Sequence, residues 1–333
     1  MCSRRQLVTA LVAAALTAAT ATATGCAANP EPDRSPSPRA EAERTARAAL
    51  DTFLAAYNRA EQSSDESLLD AVATGPYAET KKAGLRANRA LAPAGPPESE
   101  PLRLTDPNFA IPEHGGFFVV DTDSNRDEGT GKADSRVVLV FTRATEPGTW
   151  HVAYVAVVSR ADLPEFRLTP AGWVEPVAPD ARDLSVPPAE LGRRYARLLA
   201  DGTPSGFAPG SATTGRRAAR AKDAEQPGLK ARFEDRPADG GTYAPLALRT
   251  KNGGALAFFA SRHTDHLTLD PTARGAVSPL TPGVRALMRG EFTDTLTRES
   301  VSTQAVVIPP AAAPGKGVVF VAQAQGVVSA TAS

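Results

Sequence analysis

Residues 137–157, VVLVFTRATEPGTWHVAYVAV, and residues 304–324, QAVVIPPAAAPGKGVVFVAQA, decide the fold. Each reads as an apolar strand, a Pro-Gly turn and a second apolar strand, and a shift of 167 residues aligns them without a gap. Pro147-Gly148 falls on Pro314-Gly315, while Val140 and Val152 fall on Val307 and Val319. Side chains alternate along a strand, so Val137, Leu139 and Phe141 point one way and Val138 and Val140 the other. An antiparallel sheet with one wet face alternates polar with apolar residues. Here both faces are apolar, so something covers the second face. The other half of the chain is the economical cover, and a second copy of the chain is the alternative.

Upstream of the first hairpin the pattern is helical. Residues 40–62 carry Ala46, Ala49, Leu50, Phe53, Leu54 and Tyr57 on one face, with Glu43, Arg44, Arg47, Asp51 and Arg59 off it. A second helix around Leu68, Leu69 and Val72, capped by Ser63 or Ser64 and stopped by Gly75-Pro76, is expected next. A third follows over residues 77–91. Strand signals then cover residues 109–111, 117–121, 136–142 and 150–158. The second half repeats this plan loosely, with Gly84-Leu-Arg-Ala-Asn-Arg-Ala resembling Gly215-Arg-Arg-Ala-Ala-Arg-Ala and a helix over residues 191–199. Helices segregated from antiparallel strands predict an α+β fold of two tandem domains, each with N-terminal helices on a curved antiparallel sheet. The expected boundaries are residues 40–160 and 188–330, joined by a Pro-rich linker over 161–187.

The N-terminus reads as an export signal. Arg4 and Arg5 make a positive n-region, residues 7–21 an apolar run, and Ala23-Thr24-Gly25 leads to Cys26. The run is shorter than the roughly 20 residues a spanning helix needs. Cys26 reads as the acylated first residue of a bacterial lipoprotein, with cleavage between Gly25 and Cys26 removing residues 1–25. Ala at the third position before the cysteine, where Leu is usual, is the departure from that pattern. Arg4-Arg5, within Ser-Arg-Arg-Gln-Leu-Val, looks like a twin-arginine export motif. Residues 26–39 form a Pro/Ser-rich tether with nothing to bury. The expected location is the outer face of the cell membrane, held by lipid on Cys26, such as a palmitoyl chain. Diacyl anchoring is stable at about 0.8 kcal/mol per buried methylene.

The chain has two cysteines; Cys2 leaves with the signal and Cys26 is consumed by lipid, so no disulfide is expected. Of its 333 residues, 37 are basic and 37 acidic. Without Arg4 and Arg5 the balance is 35 against 37, a net charge of −2. Such a chain has no electrostatic footprint for nucleic acid.

The opening helix, the segment Leu68-Leu69-Asp70-Ala71-Val72-Ala73-Thr74-Gly75-Pro76 and a sheet closing each half resemble uncharacterised secreted lipoproteins of actinobacteria. That resemblance implies tandem domains similar to NTF2-like or cystatin-like folds, which include both enzymes with Asp and His in the cone of the sheet and pure binding modules. It carries no activity over to this chain.

Four histidines limit the chemistry. His263-Thr-Asp-His266 is the densest cluster. On a strand its histidines point to opposite faces, and zinc needs three or four convergent ligands. His263 and Asp265 share a face and form the weak alternative acid–base site, set against a solvated hairpin end. His151 aligns with Val318 and reads as a partly buried strand residue, and His114 lies in a turn. Asp121-Thr-Asp-Ser-Asn-Arg-Asp-Glu-Gly superficially resembles a calcium loop but lacks the EF-hand glycine and terminal Glu. Arg216, Arg217, Arg220 and Lys222 read as a solvated helix face. No catalytic residue, cofactor or metal site is therefore expected. The reading is a non-enzymatic binding or assembly module of the cell envelope, for a protein, a peptide or a small amphiphile. An enzyme with an acid–base site, or a structural homodimer, is the alternative.

Overall fold

The computed structural model describes residues 37–95, 99–126, 134–143, 148–224, 226–273, 278–313, 315 and 317–333. The signal, Cys26 and most of the tether lie outside them, as do Pro147 and Pro314 of the two turns.

Helix α1 spans Pro38–Ser63. The Ser37 side chain accepts a hydrogen bond from the Ala40 amide, and Pro38 occupies the first turn, where its missing N–H leaves no partner unsatisfied. Ala46, Leu50, Phe53, Ala56 and Ala60 recur at steps of three and four and form its buried stripe. The helix expected around Leu68 is instead a single 3₁₀ turn, Glu66–Leu69, begun by Asp65, which accepts from the Ser67 amide at 3.0 Å. Gly75-Pro76 does not stop a helix; it starts α2, Gly75–Leu91. Pro76 suits a first turn as Pro38 does, and Gly75 sits at φ +56°, where a Cβ would lie 2.3 Å from the Thr242 carbonyl oxygen.

Strands β1 (Leu104–Ala110), β2 (Phe117–Ser124), β3 (Ser135–Thr142) and β4 (His151–Ser159) follow as an antiparallel meander in chain order. In the second half come α3 (Leu191–Asp201) and α4 (Arg216–Ala224), then β5 (Leu229–Ala238), β6 (Leu246–Arg249) and β7 (Ala255–Leu269). The short α5 (Pro282–Leu287) and β8 (Met288–Arg289) precede β9 (Thr295–Ile308) and β10 (Val319–Ala332). The second sheet has the order β5-β7-β9-β10-β8, with β6 also paired to β7. The fold is α+β, with helices packed against two sheets that are antiparallel except where the short β8 runs parallel to β10.

The apolar residues on both faces of β3 are covered from within the chain. Leu139 and Phe141 pack with Phe118 and Val120 under the stripe of α1. Val138 and Val140 turn the other way and meet Leu248, Leu256, Phe258 and Ala305 of the second sheet. Beyond that sheet, Leu191, Tyr195 and Leu199 of α3 cover Ala257, Phe259 and Val306. The layers are thus helix, sheet, sheet, helix. Polar ties join the halves as well. The Tyr154 hydroxyl donates to the Tyr243 carbonyl at 2.8 Å, and Arg262 of β7 donates to both Glu79 carboxylate oxygens of α2 at 2.9 and 2.8 Å.

The two quoted stretches each supply the closing hairpin of a sheet, β3–β4 and β9–β10. The faces agree, since Val138 and Val140, like Ala305 and Val307, belong to the core between the sheets. The registers differ by one step: Leu139 pairs with Val155, but Ala322, which aligns with Val155, pairs with Ala305 rather than with Val306. Val140 is buried and Val307 half-buried. The Pro-rich stretch 161–187 is packed, with Trp173, Val174, Val177, Leu184 and Val186 buried. Its backbone bonds to both halves, the Val174 amide to Ile111 at 3.0 Å and the Val177 amide to Ala247 at 2.9 Å.

Candidate functional site

Of the residues singled out in the sequence, Arg4, Arg5, Gly25 and Cys26 lie outside the described residues. His263 and Asp265 do share one face of β7, but not at a solvated hairpin end. They sit within a 15-residue strand, and His263 is 1% exposed. Nor do they form a pair. Asp265 accepts two bonds from Arg298, at 3.0 and 2.6 Å. The partner of His263 is Asp235, its direct neighbour across the β5–β7 pairing, with Nδ1 2.6 Å from the carboxylate. On the far side Nε2 lies 2.6 Å from Ser302 Oγ of β9. A carboxylate can only accept, so in the neutral ring Nδ1 carries the proton and Ser302 donates to Nε2.

This is the bonding order of a Ser–His–Asp triad, built from three neighbouring strands. Its surroundings quiet it. Ser302 is 0% exposed, and Gln304 donates an amide hydrogen bond to the same Oγ. Arg220 of α4 grips Asp235 with two bonds, at 2.6 and 2.8 Å. Burial works against the Asp235 carboxylate, yet the bonds from His263 and Arg220 outweigh it and hold the group at about 2. Burial also dominates at His263, lowering its pKa despite Asp235; Arg216 and Arg220 push the same way. The ring is neutral, sealed and facing a carboxylate already neutralised by a guanidinium. Arg220 and Arg216 therefore do not form a solvated face as expected; desolvation lowers the pKa of Arg216.

The other residues fall elsewhere. His151 is half-buried at the start of β4, its Nδ1 3.1 Å from the Thr149 carbonyl. His266 turns to the opposite face from His263, with Nδ1 3.2 Å from Thr297. His114 is exposed in the β1–β2 turn, on the rim of a hollow of about 310 Å³ that also holds Glu113, Trp150 and Trp173. Asp121 and Asp123, read as calcium-loop oxygens, surround the buried Arg136 guanidinium at 2.6 and 3.2 Å. Residues 127–129 of that loop lie outside the described residues.

A larger concavity of about 360 Å³ lies where the two sheets meet. Residues 155–157 of β4, the last strand of the first sheet, form one wall; residues 322–326 of β10 form the other. Tyr77, Thr80 and Lys81 of α2 close one end. The walls carry Val155, Val157, Ala322 and Ala324, and Val157 is 54% exposed. Lys81 spends its charge on Glu61 at 2.8 Å and over the Tyr57 ring, so it does not make the cleft cationic. The arrangement can hold an apolar or amphiphilic group against two strand edges. The lining of this cleft depends on how the two sheets meet, so no spacing within the sequence pointed to it.

These features define a class, a two-sheet α+β protein with a sealed polar core and an open apolar cleft. Within it, the chain belongs to the family of the domain of unknown function DUF8094, whose model matches residues 37–332. It is 41% identical over 289 residues to an uncharacterized lipoprotein of Streptomyces avermitilis, covering 86% of this chain and 84% of the relative. A second uncharacterized lipoprotein, from Streptomyces coelicolor, is 44% identical over 276 residues, 81% of this chain and 80% of the relative. No helix among the described residues is long and apolar enough to cross a membrane.

Proposed function

We propose that this protein is an extracytoplasmic lipoprotein, anchored through Cys26, that binds an apolar or amphiphilic ligand in the cleft between its two sheets and catalyses no reaction. The lipoprotein names of its relatives and its own signal layout support the anchor. The observation that carries the binding reading is the cleft itself, whose valine-lined walls include the exposed Val157. The matching faces of the two closing hairpins support an origin of the halves in a tandem repeat of NTF2-like or cystatin-like units. Titrating the protein with a fluorescent fatty acid tests the cleft. Saturable binding that weakens at least about tenfold in Val157→Glu is expected, because a carboxylate placed against the apolar chain must be desolvated. Absent binding, or binding indifferent to Val157→Glu, overturns the reading.

One observation favours a hydrolase instead, the bonding order of Ser302, His263 and Asp235. A fluorophosphonate that reacts with activated serines separates the two. Labelling abolished by Ser302→Ala would establish the hydrolase; an unlabelled protein is the expected result, given the buried hydroxyl and the Arg220–Asp235 pair.

A further inference from the structure

A second cleft lies on the far side of the molecule from the sheet-to-sheet core, beside α3. That helix buries Leu191, Gly192, Tyr195, Ala196 and Leu199 against the second sheet, which leaves Arg193 and Arg197, four residues apart, together on its outer face. Arg193, Arg194 and Arg197 line a hollow of about 210 Å³ with Glu190, Thr203 and Ser205. At about 30 Å³ per water this is room for about seven waters.

Three features set this hollow apart from an ordinary charged surface. Glu190 is committed to Arg194, at 2.7 Å from its Nε, while among the described residues neither Arg193 nor Arg197 has a carboxylate within ion-pair reach. Ser205 is only 7% exposed, and its hydroxyl has no hydrogen-bond partner among the described residues. A buried hydroxyl left without a partner is unfavourable. The guanidinium of Arg217 lies over the bare Cα of Gly202, beside the Thr203 rim. Asp201 is the opposing charge there; it accepts from the Thr203 amide and hydroxyl, and Arg217 and Arg197 both attract its carboxylate. Arg193, Arg194, Arg197 and Arg217 against Glu190 and Asp201 leave a local charge of +2.

We propose that this hollow is a binding site for the phosphate group of a phosphate ester. Guanidinium forks match the oxygens of a phosphate and hold it through paired hydrogen bonds. Two forks spaced by one helical turn, with no carboxylate in ion-pair reach among the described residues, give a tetrahedral oxyanion several donors at once. The volume leaves space for a small alcohol on the phosphate. The inference is independent of the apolar cleft, with which it shares no residue. In a protein held at a membrane surface, two sources carry this group: the headgroup of an anionic phospholipid and a phosphate ester in solution.

The test uses the full lipoprotein in neutral-detergent micelles. Its thermal midpoint is followed while glycerol phosphate is added to the solution or phosphatidylglycerol is added to the micelles. A ligand that binds only the folded state raises the midpoint with its concentration, and the curve returns its affinity. Saturable stabilisation is expected, weakened at least about tenfold in Arg193→Ala/Arg197→Ala and partly retained in Arg193→Lys/Arg197→Lys, which keep charge but lose the fork. Arg193 and Arg197 are exposed, so the fold tolerates these changes. A response to both compounds means that the site reads the phosphate ester alone; a response to phosphatidylglycerol only makes a lipid headgroup the ligand. No saturable response to either, or equal affinity in the double-alanine variant, overturns the proposal. Val157→Glu should leave this response unchanged, which keeps a failure of the apolar-cleft reading distinguishable from a failure here.

Discussion

Acidification should weaken this fold through one residue, His263. The imidazole is 1% exposed, donates to Asp235 at 2.6 Å and accepts from Ser302 at 2.6 Å, so a second proton would force the Ser302 hydroxyl to turn from donor to acceptor. Adding it would also place a cation beside Arg220 and Arg216. Burial, opposed by Asp235, lowers the folded-state pKa below the ordinary 6.5. The unfolded chain therefore takes up a proton near pH 6.5 that the folded chain refuses until the pH is lower. The stability that neutral His263 contributes is complete above pH 6.5 and is lost as the pH falls below it. One proton bound only by the unfolded state gives a loss of no more than about 2 kcal/mol between pH 6.5 and pH 5. Asp235 does not add to that slope. Held at about 2, it contributes stability that is complete above the ordinary carboxylate range and declines as the pH falls from about 4 towards about 2. Urea unfolding at pH 7.5, 6.5, 5.5 and 5, for the wild type and for His263→Gln, isolates the effect. The variant is less stable throughout, but its stability should change less across this range. A wild-type curve that is flat from pH 6.5 to 5, or a variant with the same slope, would refute the assignment.

Three further outcomes are expected. Val140→Ala should cost about 1–3 kcal/mol, the scale of a lost core side chain, and Val307→Ala less, since Val307 is only half-buried; chemical denaturation measures both. Gly75→Ala combines φ +56° with a Cβ 2.3 Å from the Thr242 carbonyl oxygen, so it should destabilise by at least about 1 kcal/mol and loosen α2, read as faster amide exchange. Cys26→Ala should move the protein from the membrane fraction to the soluble fraction; unchanged membrane retention would count against the lipid anchor.

Much of the architecture was legible because period and strand alternation are local properties. The stripe from Ala46 to Ala60, the four strands of the first sheet and the apolar residues on both faces of β3 are written in spacings of two, three and four residues. The two errors near the N-terminus have local causes too. Ser64 ends α1 with φ 51° instead of starting a helix, and Pro76 falls in a first turn, where proline favours a helix that it would break further along.

The chemistry of the sites was not legible in the same way. His263 with Asp265 was the pair that sequence spacing offers; the pair that forms, His263 with Asp235, spans 28 residues and depends on the register of β5 against β7. Ser302 joins from 39 residues away on a third strand. Spacing along α3 put Arg193 and Arg197 on one helix face, but that neither has a carboxylate within ion-pair reach among the described residues is a fact about residues brought near by folding. The sequence by itself determined most of the elements and the apolar faces, since each follows from residues a few positions apart. Only the tertiary structure decided which polar groups are sealed and which are left open, because burial and hydrogen-bond partnership belong to atoms adjacent in space.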